Sequence, residues 1–123
     1  MSVQDDLWFD ATKCFIGGKW VAPLGGEYLS LENPSDGSEI AKIARGKLGD
    51  VDAAVQAAKN ALTGEWGRMT ALERGRILTR IGQLVLERVD ELARLEAADV
   101  GKPLKQARAD AVALARYICL LYT

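Results

Sequence analysis

This sequence predicts an α/β fold in which short N-terminal strands precede four helices, and three observations carry that reading. Turn chemistry clusters before residue 40, where Gly17-Gly18, Gly25-Gly26, Asn33-Pro34 and Asp36-Gly37 separate runs of strand-forming residues. From Asp50 onward apolar residues recur at steps of three and four, the period of one helix face. Helix punctuation stands where that periodicity starts and stops, with Thr70 and Glu73 spaced as a capping box and Gly101-Lys102-Pro103 as a stop.

Taken in order, Phe15-Ile16 and Trp20-Val21 flank Gly17-Gly18, and Pro23-Leu24-Gly25-Gly26 reverses the chain before Tyr28, Leu29 and Leu31. A second reversal leads to Ile40 and Ile43, so residues 13–45 read as three short strands. Asp50 can cap a first helix whose apolar face is Val51, Val55, Ala58 and Leu62, with Gly64 as its stop. The Thr70-Glu73 box opens a second helix with Ile77, Ile81, Leu84 and Val85 as its buried stripe. Asp90 opens a third, with Leu92 and Leu95 inward. A fourth presents Leu104, Ala107, Ala111, Leu114, Ile118 and Leu121, and carries no stop signal.

Composition narrows the function. A chain of 123 residues is enough for one compact domain at most, and 49% hydrophobic with 27% charged residues is ordinary for a folded protein. Sixteen basic against 17 acidic groups leave no positive field for phosphates, so nucleic acid is not an expected partner. With no histidine, the chain itself can form no Ser/His/Asp triad, Cys/His pair or His-bearing zinc site. Cys14 and Cys119 are far apart and lack CxxC spacing, which favours reduced, packing thiols. Residues 1–10 hold three aspartates and no basic or apolar leader pattern, and no long apolar run follows, so the expectation is a cytoplasmic protein without a membrane partner.

The remaining motifs read as structure. Gly17-Gly18 and Gly25-Gly26 lack the spacing of a dinucleotide fingerprint or a P-loop. Arg68, Arg74, Arg76, Arg80, Arg88 and Arg94 interleave with Glu65, Glu73, Glu87, Asp90, Glu91 and Glu96, the pattern of a solvated helix surface. Trp8, Trp20 and Trp66 read as apolar anchors. Asp99, at the end of the third helix, fits the helix dipole poorly there.

In order, Phe15-Ile16-Gly17-Gly18-Lys19-Trp20-Val21, Glu32-Asn33-Pro34-Ser35-Asp36-Gly37 and the run Asp50 to Ala58 resemble the opening of an NAD(P)-dependent aldehyde dehydrogenase. Trp66, Met69, Glu73-Arg74, Ile77-Leu78, Glu87-Arg88, Asp90-Glu91-Leu92-Ala93, Asp99 and Gly101-Lys102-Pro103 continue the resemblance, which spans about Cys14 to Tyr117.

The resemblance implies that residues 13–123 are an incomplete N-terminal part of a coenzyme-binding domain, behind a flexible tail at 1–12. The four helices would then pack on a Rossmann-like sheet that this chain lacks. It implies no catalytic and no cofactor-binding residue here, because that family's nucleotide-binding strands, oxyanion segment, general-base glutamate and nucleophilic cysteine have no counterpart. A truncated, frameshifted or split gene product is the expectation, inactive alone, with NAD or NADP belonging to the complete enzyme. The alternative is an interaction module that docks onto a full-length relative or a separately encoded remainder. The expected partners are therefore copies of the chain itself or the missing remainder. The resemblance further implies a sodium or potassium site using the carbonyls of Leu31 and Glu32 with the carboxylate of Asp99.

Overall fold

The structure is a computed structural model that describes residues 7–120 of the chain. Its contacts divide the chain into two compact units, one up to Gly67 and one from Arg68 onward, where length alone argued for a single domain.

The first unit holds two antiparallel hairpins and two helices. Strands β1 (Cys14–Ile16) and β2 (Lys19–Val21) pair with Cys14 opposite Val21 and Phe15 opposite Trp20. Gly17 and Gly18 join them, both at positive φ (59° and 79°), the conformation a two-residue hairpin turn of the primed type requires. With this hairpin the described residues hold four strands where the sequence reading counted three. Strands β3 (Tyr28–Glu32) and β4 (Glu39–Ala44) form the second hairpin, with a register break at Leu31/Glu32. Its connection is closed by side chains of the turn itself: Asn33 Oδ1 accepts from the Ser35 N–H at 2.9 Å and Asp36 Oδ1 from the Ser38 N–H at 2.9 Å.

Residues 7–12, assigned to a tail on sequence, include Phe9, whose ring stacks on Trp20 at 5.5 Å, and Ala11, whose carbonyl accepts the Ala44 N–H at 2.9 Å. Phe15 lies 5.0 Å from Trp20 and Trp8 4.9 Å from Phe9. Trp8 and Trp20 are thus joined through Phe9, although both remain exposed, and Trp66 is half-buried.

Helix α1 (Leu48–Thr63) follows β4 and ends at Gly64, and the short helix α2 (Glu65–Arg68) comes next. The α1 face expected to be buried is open: Val51 is 55%, Val55 47% and Leu62 69% exposed. What α1 turns to β1 is its small-residue side, where Ala57 lies against Gly17.

The second unit packs three helices. Helix α3 (Ala71–Glu87) begins at the predicted capping box, the Glu73 carboxylate accepting the Thr70 N–H at 2.7 Å and the Thr70 hydroxyl accepting the Glu73 N–H at 3.3 Å. Helix α4 (Val89–Val100) ends at Gly101 with φ 73°, the left-handed stop that glycine supplies without a Cβ penalty. Helix α5 (Leu104–Leu120) packs against both. Leu121, assigned to its apolar face, lies outside the described residues.

The core of this unit departs in part from the sequence reading. Ile77, Ile81 and Leu84 of α3, and Leu104 and Leu114 of α5, are exposed, whereas Ala107 and Ala111 of the expected α5 face are buried together with Gly82, Ala93 and Ala115. Periodicity identified the apolar faces, but α5 approaches along the glycine and alanine side, where helix axes come closest. A Cβ placed on Gly82 would sit 2.8 Å from Cys119 Sγ, closer than real contacts allow, and 3.1 Å from the Ala115 carbonyl oxygen, a tight approach.

Gly82→Ala is therefore expected to destabilise this unit by about 1–2 kcal/mol, the overpacking cost outweighing alanine's better helix propensity. Adding Cys119→Ala should recover part of that loss by removing the nearer clash. Urea unfolding of the two variants checks both; a Gly82→Ala protein at least as stable as the parent contradicts the packing described.

Candidate functional site

Beta strand β4 runs into α1 through Arg45-Gly46-Lys47, the one strand-to-helix junction among the described residues. A helix N-terminus entered from a strand is a ready anion site, because its first N–H groups are unpaired. Here the chain sets a carboxylate of its own beside it. Asp50, 5% exposed, accepts the Lys47 N–H at 2.9 Å and the Leu24 N–H at 3.0 Å, joining the helix start to the loop between β2 and β3. Those two N–H groups, Lys47 first, hold its carboxyl below the ordinary value. Above them Glu27 pairs with Lys47 and, at 3.5 Å, with Arg45. An incoming phosphate would meet two carboxylates at this junction. The sequence reading of Asp50 as a cap was right in function and shifted in position, for Asp50 is the third helical residue and Lys47 occupies the N-cap.

The residues assigned to a monovalent cation fall in different units. Leu31 is half-buried and Glu32 exposed at the end of β3, beside the register break, in the first unit; Asp99 is exposed on the last turn of α4 in the second. Among the described residues no group of three or more His, Cys, Asp or Glu side chains is placed to hold a metal ion.

Sequence reasoning missed the most connected charged group of the second unit. Lys102 Nζ lies 2.5 Å from Glu96 Oε1 and 2.9 Å from Asp110 Oδ2, and Gln106 Nε2 donates to the other Asp110 oxygen at 3.0 Å. Glu96 and then Asp110 raise the Lys102 ammonium above its ordinary value, and Lys102 lowers Asp110. This clamp holds α4 to α5 across the Gly101 turn. Its separations of six and eight residues match no helix-surface spacing, so only the presence of a lysine inside a stop signal hinted at it. Elsewhere Arg80 pairs with Glu87 at 3.1 Å, seven residues on, and Arg108 of α5 with Asp90 of α4 at 2.8 Å, so neither has the four-residue spacing expected of the interleaved arginines.

A concavity of about 590 Å³ lies between α3 and α5. Gly82 and Ala115 form its floor, Val112 and Cys119 its half-buried sides, and Leu86 and Leu120 its exposed rim. Cys119 is a free, half-buried thiol packed toward Gly82, and Cys14 is likewise free and lies near Gly46. Neither cysteine has a histidine to activate it, since the chain contains none. Among the described residues no helix is long and apolar enough to cross a membrane.

Comparison with known proteins gives a consistent result. The sequence profile of the aldehyde dehydrogenase family matches residues 20–122. The chain is 47% identical over 90 residues to the mitochondrial 10-formyltetrahydrofolate dehydrogenase of Mus musculus, covering 72% of this chain and 10% of that protein. It is 39% identical over 101 residues to an aldehyde dehydrogenase of Paracoccus denitrificans, covering 82% of this chain and 20% of that one. Among solved structures, a betaine aldehyde dehydrogenase of Staphylococcus aureus in complex with NAD+ superposes with a TM-score of 0.86 at 30% identity, over 89% of this chain and 23% of that chain. An aldehyde dehydrogenase of Bacillus cereus superposes with a TM-score of 0.82 at 34% identity, over 89% and 23%. The chain thus spans between a tenth and a quarter of the relatives it matches.

Because the folded-state carboxyl of Asp50 lies below its unfolded value, its contribution to stability is present above that unfolded value and lost as pH falls through the folded one. Asp50→Ala should lower the melting temperature at neutral pH, and its gap from the parent should close below pH ~4. Thermal melts across that range test this; a gap that persists unchanged into acid shows that Asp50 does not hold the junction as a carboxylate.

Proposed function

We propose that this chain, which belongs to the aldehyde dehydrogenase family, is a short N-terminal portion serving as scaffold in an enzyme whose complete form oxidises an aldehyde to a carboxylic acid with NAD or NADP. The observation that carries this reading is the acidic strand-to-helix junction: in a family whose solved relatives include NAD+ complexes, Asp50 and Glu27 set two carboxylates beside the place where this chain could have received a phosphate. The four described strands pair only as antiparallel hairpins, and dinucleotides bind at the carboxyl ends of parallel strands. The residues present therefore do not fit the coenzyme, and no chemical step is assigned to them. Thiolate attack on an aldehyde would also need an activated cysteine, which neither Cys14 nor Cys119 supplies.

A second reading, an interaction module that docks onto a relative, a remainder or another copy, is favoured by the apolar side chains left outside the second unit. Ile77, Ile81 and Leu84 repeat at steps of four and three along α3 and are each about 40% exposed. Contiguous apolar surface of this kind is seldom left bare on a soluble monomer.

Calorimetric titration of the chain with NAD and NADP, beside an assay of aldehyde oxidation, tests the scaffold reading. No turnover is expected and no binding tighter than about 1 mM, roughly −4 kcal/mol. Saturable binding below that limit, or reduction of either dinucleotide by an aldehyde, contradicts it.

A further inference from the structure

We propose that α1 pairs with α1 of a second copy of this chain, antiparallel and about a two-fold axis. Of the 16 residues of the helix only Asp50 and Ala57 are not exposed; Asp50 is tied to Leu24 and Lys47, and Ala57 lies against Gly17. The helix therefore rests on its unit along a single line. Leu48, Val51, Val55, Ala58 and Leu62 recur at alternating steps of three and four along its length, the a and d spacing of a two-stranded coiled coil. That stripe stands about 130° round the helix from the Asp50-Ala57 line, and all five of its side chains are exposed.

Charge selects both the occupant and its direction. One flank of the stripe carries Asp52 and Lys59, and the other carries Ala54 and Ala61. A parallel pair sets the charged flank of each helix against the alanine flank of the other, where neither charge is answered. An antiparallel pair sets charged flank against charged flank. With Val51 over the partner's Leu62 and Val55 over the partner's Ala58, Asp52 meets the partner's Lys59, and the two-fold axis makes the same ion pair twice. Neither Asp52 nor Lys59 has an ion pair or hydrogen bond from its side chain among the described residues. On α3, whose apolar stripe is also open, the flanking Arg80 and Glu87 are already joined to each other at 3.1 Å. Four such layers fall short of the roughly 800 Å² per partner of a standard complex, so the pair is of the weak, exchanging class.

Sedimentation equilibrium of the full chain between about 10 and 500 μM, the range of a weak pair, tests this. A monomer–dimer equilibrium is expected. Asp52→Lys and Lys59→Asp, both at exposed positions, should each weaken it about tenfold by setting like charges opposite one another twice. The double exchange, Asp52→Lys with Lys59→Asp, should restore it, and an equimolar mixture of the two single variants should form a heterodimer as strong as the parent's dimer. Val55→Glu should abolish association. The proposal is overturned if the chain is monomeric throughout, if Val55→Glu associates like the parent, or if the mixed single variants fail to pair. It rests on the reading of the chain as a module that docks onto another copy, and Ile81→Glu on α3 separates the two. Association lost with Ile81→Glu but kept with Val55→Glu overturns the α1 pair and leaves that reading standing, as does a monomer that still docks onto a relative or the remainder. Neither dinucleotide nor aldehyde enters the measurement, so the scaffold reading is tested apart from it.

Discussion

The contact of Gly82 with Ala115 and Cys119 governs the second unit. Helices that meet over glycine and alanine approach closely and gain dispersion contacts along their backbones, but they bury little apolar area per residue. The consequence is visible in the exposure of the larger side chains: the buried apolar residues of this unit are alanines, and its isoleucines and leucines line the flanks. Close packing along one edge of α3 leaves two apolar flanks, the Ile77-Ile81-Leu84 seam on one side and the groove of Leu86 and Leu120 on the other. The Lys102 clamp adds a directional constraint, fixing α4 to α5 by charge where area alone would hold them weakly.

The first unit relies on a different economy. Its hairpins are short and bury few large side chains, so it is held at defined points: the Phe9-Trp20 stack, the Ala44-to-Ala11 hydrogen bond, and the Asp50 carboxylate bridging Leu24 and Lys47. The same carboxylate that steadies the strand-to-helix junction sets a negative charge where a phosphate would approach. Structure and function are linked there through one side chain. Both units accordingly offer surfaces and supports, which agrees with a chain that spans between a tenth and a quarter of its relatives.

Local chemistry was legible in the sequence wherever it acts over four residues or fewer. The Thr70-Glu73 box, the Gly101 stop and the Gly17-Gly18 turn all form as their residue types dictate. The family was legible too, from the ordered motifs between Cys14 and Tyr117. Ala107 and Ala111 were on the α5 face that periodicity marked, but which side of α3 meets α5 could not be read. Hydrophobic periodicity reports where apolar residues lie, not how closely a neighbour can come, and Gly82 with the Ala107-Ala111-Ala115 stripe won that competition by size. The Lys102 clamp was hidden for a related reason, since it joins residues brought together by a turn. The groove, which depends on the glycine floor, was invisible for both reasons.

The account rests on the small-residue contact being the stable centre of the second unit, and amide hydrogen exchange measures that contact directly. Backbone amides of α3 and α5 around Gly82, Ala111 and Ala115 should be the slowest in the chain to exchange, and those of α1, whose Val51, Val55 and Leu62 face solvent, among the fastest of the helical ones. Protection of α1 equal to or greater than that of α3 and α5 would contradict the account, because it would place the stable core where the structure shows an open face.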